Sequence, residues 1–267
     1  MSREHPLRVG LREGLVPSAC RCLRRVRSRG CRPGRGDALA LLSGTWAEVQ
    51  VCSEFLPFPV LGEIRNTNTA TLPVEIEQVG NSLTLHDSHC AITVQSAPPL
   101  ASTEIPEAFL NFLVKGPATA FLEPCESAVR FVQPWQTRVA GARLEDIDND
   151  LLPADAADPR VIDEDGDGHP GVTVRLRVLG LIEGEVYLVQ RVRYRLVGTL
   201  VSPDRIEGFL EWQSERVVLG ASSLLLLGNW NGTPDPDPRK STFVLQRIDP
   251  GCGCDAIMAN WSAVFGR

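Results

Sequence analysis

The stretch EVYLVQRVRYRLVGTLVSPDRIEGFLEWQSERVVL, residues 185–219, decides the fold. Ser202-Pro203-Asp204 is turn chemistry set between two runs rich in β-branched and aromatic residues, which reads as a hairpin. Charge and apolar content together select its register. If Val201 pairs with Arg205, then Leu196 faces Leu210, Tyr194 faces Trp212 and Val192 faces Ser214 on one side. The other side matches Arg195 with Glu211 and Arg191 with Glu215. A slip of one residue would set Leu196 beside Glu211 and Arg191 beside Arg216, burying charge and opposing like signs.

Working upstream, the same test on Val172 to Val178 against Glu185 to Gln190 aligns Leu176 with Val186, Val174 with Leu188 and Arg177 with Glu185. A three-stranded meander follows, charged outside and aliphatic inside, the pattern of an antiparallel sheet wet on one face. Further strands are expected over Thr45 to Phe55, Gly62 to Thr69, Val74 to Gln78, Ser82 to Leu85, Ala91 to Gln95, Arg130 to Ala140 and Thr242 to Arg247. One segment, STEIPEAFLNFLVKGP, breaks the pattern. Pro106 suits a first helical turn, Phe109, Leu110 and Leu113 share a face, and Gly116-Pro117 ends the run, which predicts a helix over Pro106 to Val114. Long strands in up-and-down order curl and close. The expected fold class is therefore all-β: a single antiparallel up-and-down barrel or strongly curled sheet with one short helix, occupying residues 38–267 as one domain.

Residues 1–37 carry ten arginines against Glu4, Glu13 and Asp37, although the whole chain has a net charge of −6. The body is therefore strongly acidic. The leader has no apolar periodicity and no unbroken apolar run of signal-peptide length, and it is expected to be a disordered basic segment or the product of a start site placed outside the proper frame. No aromatic residue interleaves with its arginines, and an acidic body repels phosphate, so nucleic acid is not the expected partner. A lipoprotein attachment site at Cys20 is disfavoured because Arg8, Arg12 and Glu13 interrupt the stretch before it.

The acid concentrates in the excursion 145–171, where ten acidic residues from Glu145 to Asp167 face Arg160 alone within the segment. Folding a chain around such a cluster is costly unless a cation or hydrogen-bond donors enter. Asp163, Asp165, Asp167 and Gly168 form D-x-D-x-D-G, which resembles the calcium loop of EF-hand proteins and of thrombospondin type 3 repeats. The resemblance implies carboxylate oxygens at alternate positions converging on one calcium ion, with the carbonyl of His169 next in line. The chain departs from the EF-hand pattern at the twelfth position, which is Val174 rather than glutamate, and a strand follows instead of a helix. Upstream, Asp146, Asp148 and Asp150 repeat the alternation and are candidates to complete the coordination or hold a second ion, with Asp155 and Asp158 beyond them. The alternative is a solvated acidic loop.

Beyond the leader, Cys52, Cys90, Cys125, Cys252 and Cys254 contain no C-x-x-C pair, and their spread suits disulfides in an exported, extracytoplasmic protein. Cys90 with Cys125 is the expected bridge, since both flank the helix-bearing excursion. The set is odd, which leaves one thiol over or gives Cys252-Gly253-Cys254 alternative partners. His86, His89 and Cys90 could share zinc or copper in a turn, whereas in a strand the two histidines point apart. A polar turn is expected. No nucleophile elbow, H-E-x-x-H, Walker loop or dinucleotide fingerprint is present.

Gly44-Thr45-Trp46 resembles the G-x-W start of lipocalins, where the tryptophan closes one end of a barrel, and Gly228-Asn229-Trp230 repeats the tripeptide. The resemblance implies a barrel able to hold an apolar small molecule. The functional expectation is thus a non-catalytic, calcium-stabilised β module with a binding or structural role. A lipocalin-like carrier is the alternative, and an unrecognised hydrolase stands behind both.

Overall fold

A computed structural model describes residues 41–58, 62–99, 101–105, 110, 116–125, 128–178, 182–228 and 230–266 of the protein. The basic leader lies outside these residues, as does nearly all of the segment expected to form the helix near Pro106. Among the described residues twelve strands make one antiparallel sheet: β1 (Gly44–Phe58), β2 (Gly62–Val79), β3 (Ser82–Asp87), β4 (Ala91–Ala97), β5 (Ala101–Glu104), β6 (Ala118–Cys125), β7 (Ala128–Ala140), β8 (Val172–Val178), β9 (Ile182–Ser202), β10 (Arg205–Ala221), β11 (Thr233–Pro234) and β12 (Thr242–Arg247). Two short helices, α1 (Cys254–Ala259) and α2 (Trp261–Phe265), follow.

The sheet is ring-like. Its pairings run from β9 through β10, β12, β1, β2, β3, β6 and β7 back to β9. Two long strands make the ring tall by carrying two partners in tandem on one edge. On β2, β4 pairs with Arg65–Thr71 and β3 with Val74–Val79. On β9, β8 pairs with Ile182–Leu188 and β7 with Gln190–Thr199. Pro73 falls in the gap where β2 changes partner; its carbonyl accepts from the Ser88 N–H at 3.2 Å, and its nitrogen faces the same gap, so no ladder bond is lost.

The β9/β10 hairpin has the register selected by its charges. Leu196 faces Leu210, Tyr194 faces Trp212, Val192 faces Ser214, Arg195 faces Glu211 and Arg191 faces Glu215. It differs at the turn, where a bulge sets Arg205 opposite Ser202 instead of Val201, and beyond Val218, where a second bulge sets Gly220 opposite Tyr187. The β8/β9 pairing corrects the expected register by two residues: Val174 meets Val186, Val172 meets Leu188 and Leu176 meets Gly184. A shift of two leaves every side chain on its expected face. It also exchanges one ion pair for two, Arg175 with Glu185 at 3.1 Å and Arg177 with Glu183 at 2.6 Å.

Alternation divides the wall into an inner and an outer face. At one end of the interior an apolar core gathers Trp46, Leu72, Val74, Leu85, Phe131 and Phe243. The indole of Trp46 donates to the Leu42 carbonyl at 2.8 Å, and the Arg247 guanidinium lies 4.5 Å above its ring. Gly198 and Gly208 pair directly beneath Phe243, where a Cβ on either would come within 3 Å of the ring. Toward the other end Leu56, Val172, Leu176, Leu188 and Trp230 form a second cluster. Outside the ring, α1 and α2 bury Ile257, Val264 and Phe265 against Ala47, Val49 and Val244 of β1 and β12.

Cys90 lies at bonding distance from Cys254 in a disulfide with a Cα separation of 5.1 Å, which corrects the expected Cys90–Cys125 bridge. The packing of the C-terminal helices explains it. Cys90 stands beside β2, its N–H on the Thr71 carbonyl, and the Trp261 indole donates to the Thr71 hydroxyl on the same side. Cys125 is exposed at the end of β6.

Candidate functional site

The acidic excursion lies on the outside of the ring between β7 and β8. Leu144 and Leu152 pack with Val139, Val189 and Val217 of the outer wall, and this apolar footing holds the loop in place. The wall also supplies positive charge. Arg191 donates to the carbonyls of Ile147 and Asp150 at 3.3 and 2.7 Å, and Arg193 lies 3.7 Å from Asp148. The loop's acids therefore face Arg191 and Arg193 as well as Arg160, which pairs with Asp158 at 2.7 Å.

Carboxylate oxygens of Asp163, Asp165 and Asp167 all lie within 4.8 Å of one another, close enough to hold a metal ion. Backbone geometry brings them together. Asp163 accepts the N–H groups of Gly166 at 2.7 Å and Gly168 at 2.9 Å, and both glycines have positive φ. Asp167 accepts the His169 N–H at 2.9 Å and the Thr173 hydroxyl. Asp165 accepts the Thr173 N–H at 2.8 Å through Oδ2, while its Oδ1 is buried with no hydrogen-bond partner. Burial first, and then repulsion from Asp167 and Asp163, pushes the Asp165 carboxyl above its ordinary range. At Asp167 burial acts in the same sense, but the hydrogen bonds from Thr173 and His169 outweigh it and the carboxyl falls.

The downstream end of the loop is fixed by close packing. Gly171 has φ +89°, and a Cβ there would stand 2.3 Å from the Leu188 carbonyl oxygen. The His169 ring stacks on Tyr187 of β9, with centroids 4.0 Å apart. Upstream, Asp146 accepts the N–H groups of Asp148 and Asn149, and Asp150 accepts those of Glu145 and Asp146. Asp148 takes the Thr137 hydroxyl. Asp146, Asp148 and Asp150 are thus engaged in holding the upstream arm, and the set brought together among the described residues is Asp163, Asp165 and Asp167.

His86, His89 and Cys90 go to three places. Cys90 is in the disulfide, His86 is exposed with its ring 4.0 Å from Glu77, and His89 lines an interior cavity. That cavity, of about 240 Å³, lies within the ring between the two apolar ends. Val94, Leu176, Leu188, Leu210, Trp212 and Trp230 provide much of its apolar lining. Its polar lining includes the Glu54–Arg216 ion pair at 3.2 Å, together with Arg138, His89 and Tyr194. Burial and the neighbouring Arg138 charge push the His89 imidazole down to about 4, so it is neutral at pH 7. Glu48, buried nearby and hydrogen-bonded by Gln50, is pushed up to about 8, chiefly by burial.

The sequence reading had not singled out Arg138. Counting alternate residues from Phe131 and Gln133, both inward, places Arg138 outside. A bulge between Gln133 and Gln136, containing Pro134 and Trp135, reverses the faces, so that Gln136 and Arg138 pair with Tyr194 and Val192 and point inward. Pro134 inside an expected strand was the available signal.

No protein family matches the sequence, and no curated protein matches it significantly.

Proposed function

We propose that this protein is a non-catalytic β module that works outside the cytoplasm and is stabilised by calcium bound to the loop 163–169. The supporting observation is the convergence of Asp163, Asp165 and Asp167, with the Asp165 Oδ1 buried and lacking a partner that a cation would supply. Oxygen-only donors suit a hard cation with variable coordination, which favours calcium over magnesium and over softer metals. The His169 carbonyl is the proposed next ligand, and Asp146, Asp148 and Asp150 keep the upstream arm in position. The Cys90–Cys254 pair supports residence in an oxidising compartment. Among the described residues no helix is long and apolar enough to cross a membrane.

The ion's role in this reading is to cancel repulsion and fix how the chain enters β8. Native mass spectrometry with and without chelator, combined with thermal melting, tests it. Calcium at a hundredfold excess over Kd should stabilise the folded chain by about 2.7 kcal/mol, with magnesium a poor substitute. An unchanged melting temperature and unchanged loop proteolysis at saturating calcium would leave a solvated acidic loop and remove the reading.

The interior cavity favours a second reading, that the module carries a small apolar molecule. A ring filled by its own side chains would serve only a structural role, whereas this one keeps a space lined by apolar groups with a few polar ones.

A further inference from the structure

We propose that the interior cavity binds a small apolar molecule ending in a carboxylate, and that Arg138 holds this head group through two parallel hydrogen bonds. The inference rests on the carrier reading and names its ligand class.

Arg138 is among the residues that line the cavity, and its guanidinium Nε and Nη2 are both buried without a hydrogen-bond partner. These two nitrogens form the side-on edge of the guanidinium, the edge whose parallel N–H groups match the two oxygens of a carboxylate. A guanidinium does not escape burial by losing its proton, so an unfilled edge is costly and an anion placed there is strongly favoured. The same face of the cavity carries His89, whose Nδ1 is also buried without a partner, and Tyr194, which burial keeps protonated. Neither opposes an anion.

Two acids lie near enough to matter. Burial raises Glu48 to about 8, which favours its neutral form at pH 7. Asp87 feels the Arg138 charge, but its Oδ1 also lacks a hydrogen-bond partner and its carboxyl is raised by burial, so it does not fill the guanidinium edge. Away from this polar group the lining combines the Glu54–Arg216 ion pair with apolar side chains, of which Leu176, Leu188, Leu210 and Trp212 are available to a hydrocarbon tail. About 240 Å³ lies below the usual range of drug-sized sites and limits that tail to moderate length.

The test measures binding of decanoate, 1-decanol and decylammonium to the purified full chain by calorimetry. Decanoate should bind ~10- to 100-fold more tightly than decanol, as expected for charge-assisted hydrogen bonds in a desolvated site, and decylammonium should be excluded. Arg138→Met should abolish the preference for decanoate over decanol. Asp87→Asn should keep or increase the preference for decanoate. Carbon-13 NMR of carboxyl-labelled decanoate on the wild-type chain provides a readout that needs no variant, and the bound acid should remain ionised at pH 5. Equal affinity for decanoate and decanol, a preference that survives Arg138→Met, or a bound acid that protonates as it does in water would overturn the head-group assignment and leave the carrier reading in place. Failure of all three probes to bind would remove both.

Discussion

Asp165 and Thr173 are joined directly: the Asp165 carboxylate accepts the Thr173 N–H at 2.8 Å, and the Thr173 hydroxyl donates to Asp167, two residues further along the loop. Thr173 pairs with Tyr187 in the ladder between β8 and β9. Thr173 therefore couples the candidate metal loop to the wall of the ring, beside the stack of His169 on Tyr187. Whatever neutralises the three aspartates acts on the pairing where β8 begins.

Asp165→Asn with Asp167→Asn should abolish the calcium-dependent part of the melting shift. The calcium-free variant should be no less stable than wild type at the Asp165 site, because repulsion is relieved and the amide oxygen still accepts from Thr173. The pH dependence follows from the raised Asp165 carboxyl. A raised acid favours the protonated folded state, so its unfavourable contribution is complete above the folded pKa and fades as pH falls through it. Calcium binding needs the ionised form and should weaken as pH falls toward the ordinary carboxylate range. Calcium titrations followed by differential scanning calorimetry over a descending pH series check both statements.

Glu48 should be visible in the pH dependence of stability. Its folded value of about 8 lies above the ordinary carboxylate range, so the folded chain holds a proton that the unfolded chain has released. Stability should fall as pH rises from about 4.3, the unfolded value, to about 8, with a slope contribution of up to ~1.4 kcal/mol per pH unit. Glu48→Gln should flatten this slope and stabilise the protein at pH 7, keeping an acceptor for Gln50. Urea unfolding across the range measures it.

Peptide mapping without reductant should recover Cys90 linked to Cys254. Cys254→Ser removes a link between residues 164 apart in sequence and should cost about 2–4 kcal/mol, with loosening of α1 and α2 read by Trp261 fluorescence. Cys125→Ser, at an exposed position, should change stability by less than ~0.5 kcal/mol.

The two faces of the β9/β10 hairpin should respond differently. Trp212 is 8% exposed and lines the cavity, and Trp212→Ala should cost about 3–5 kcal/mol. Glu211, one residue earlier, pairs with Arg195 at 2.7 Å on the half-exposed outer face, and Glu211→Ala should cost no more than ~1 kcal/mol. Chemical denaturation of the two variants tests the register directly, since a slip of one residue would reverse the order.

The register of β9 against β10 was legible in the chain alone because a single displacement would have buried Glu211 and opposed two arginines, and that penalty is written into neighbouring residues. The D-x-D-x-D-G loop was legible for the same reason: residues two apart in a tight turn converge wherever the turn lies. What lay beyond the sequence depended on partners distant along the chain. The Cys90–Cys254 link required α1 and α2 to pack against β1 and β12, and two helices of six and five residues leave little periodicity to read. Arg191 and Arg193 looked like ordinary outer-face charges until the excursion from 145 folded over them. Arg138 counted as outward until the bulge at Pro134 turned it into the cavity. Alternation specifies which residues share a face only while the strand is regular, and the choice of neighbours, the position of a bulge and the closing of a ring are settled by packing among segments that no local pattern connects.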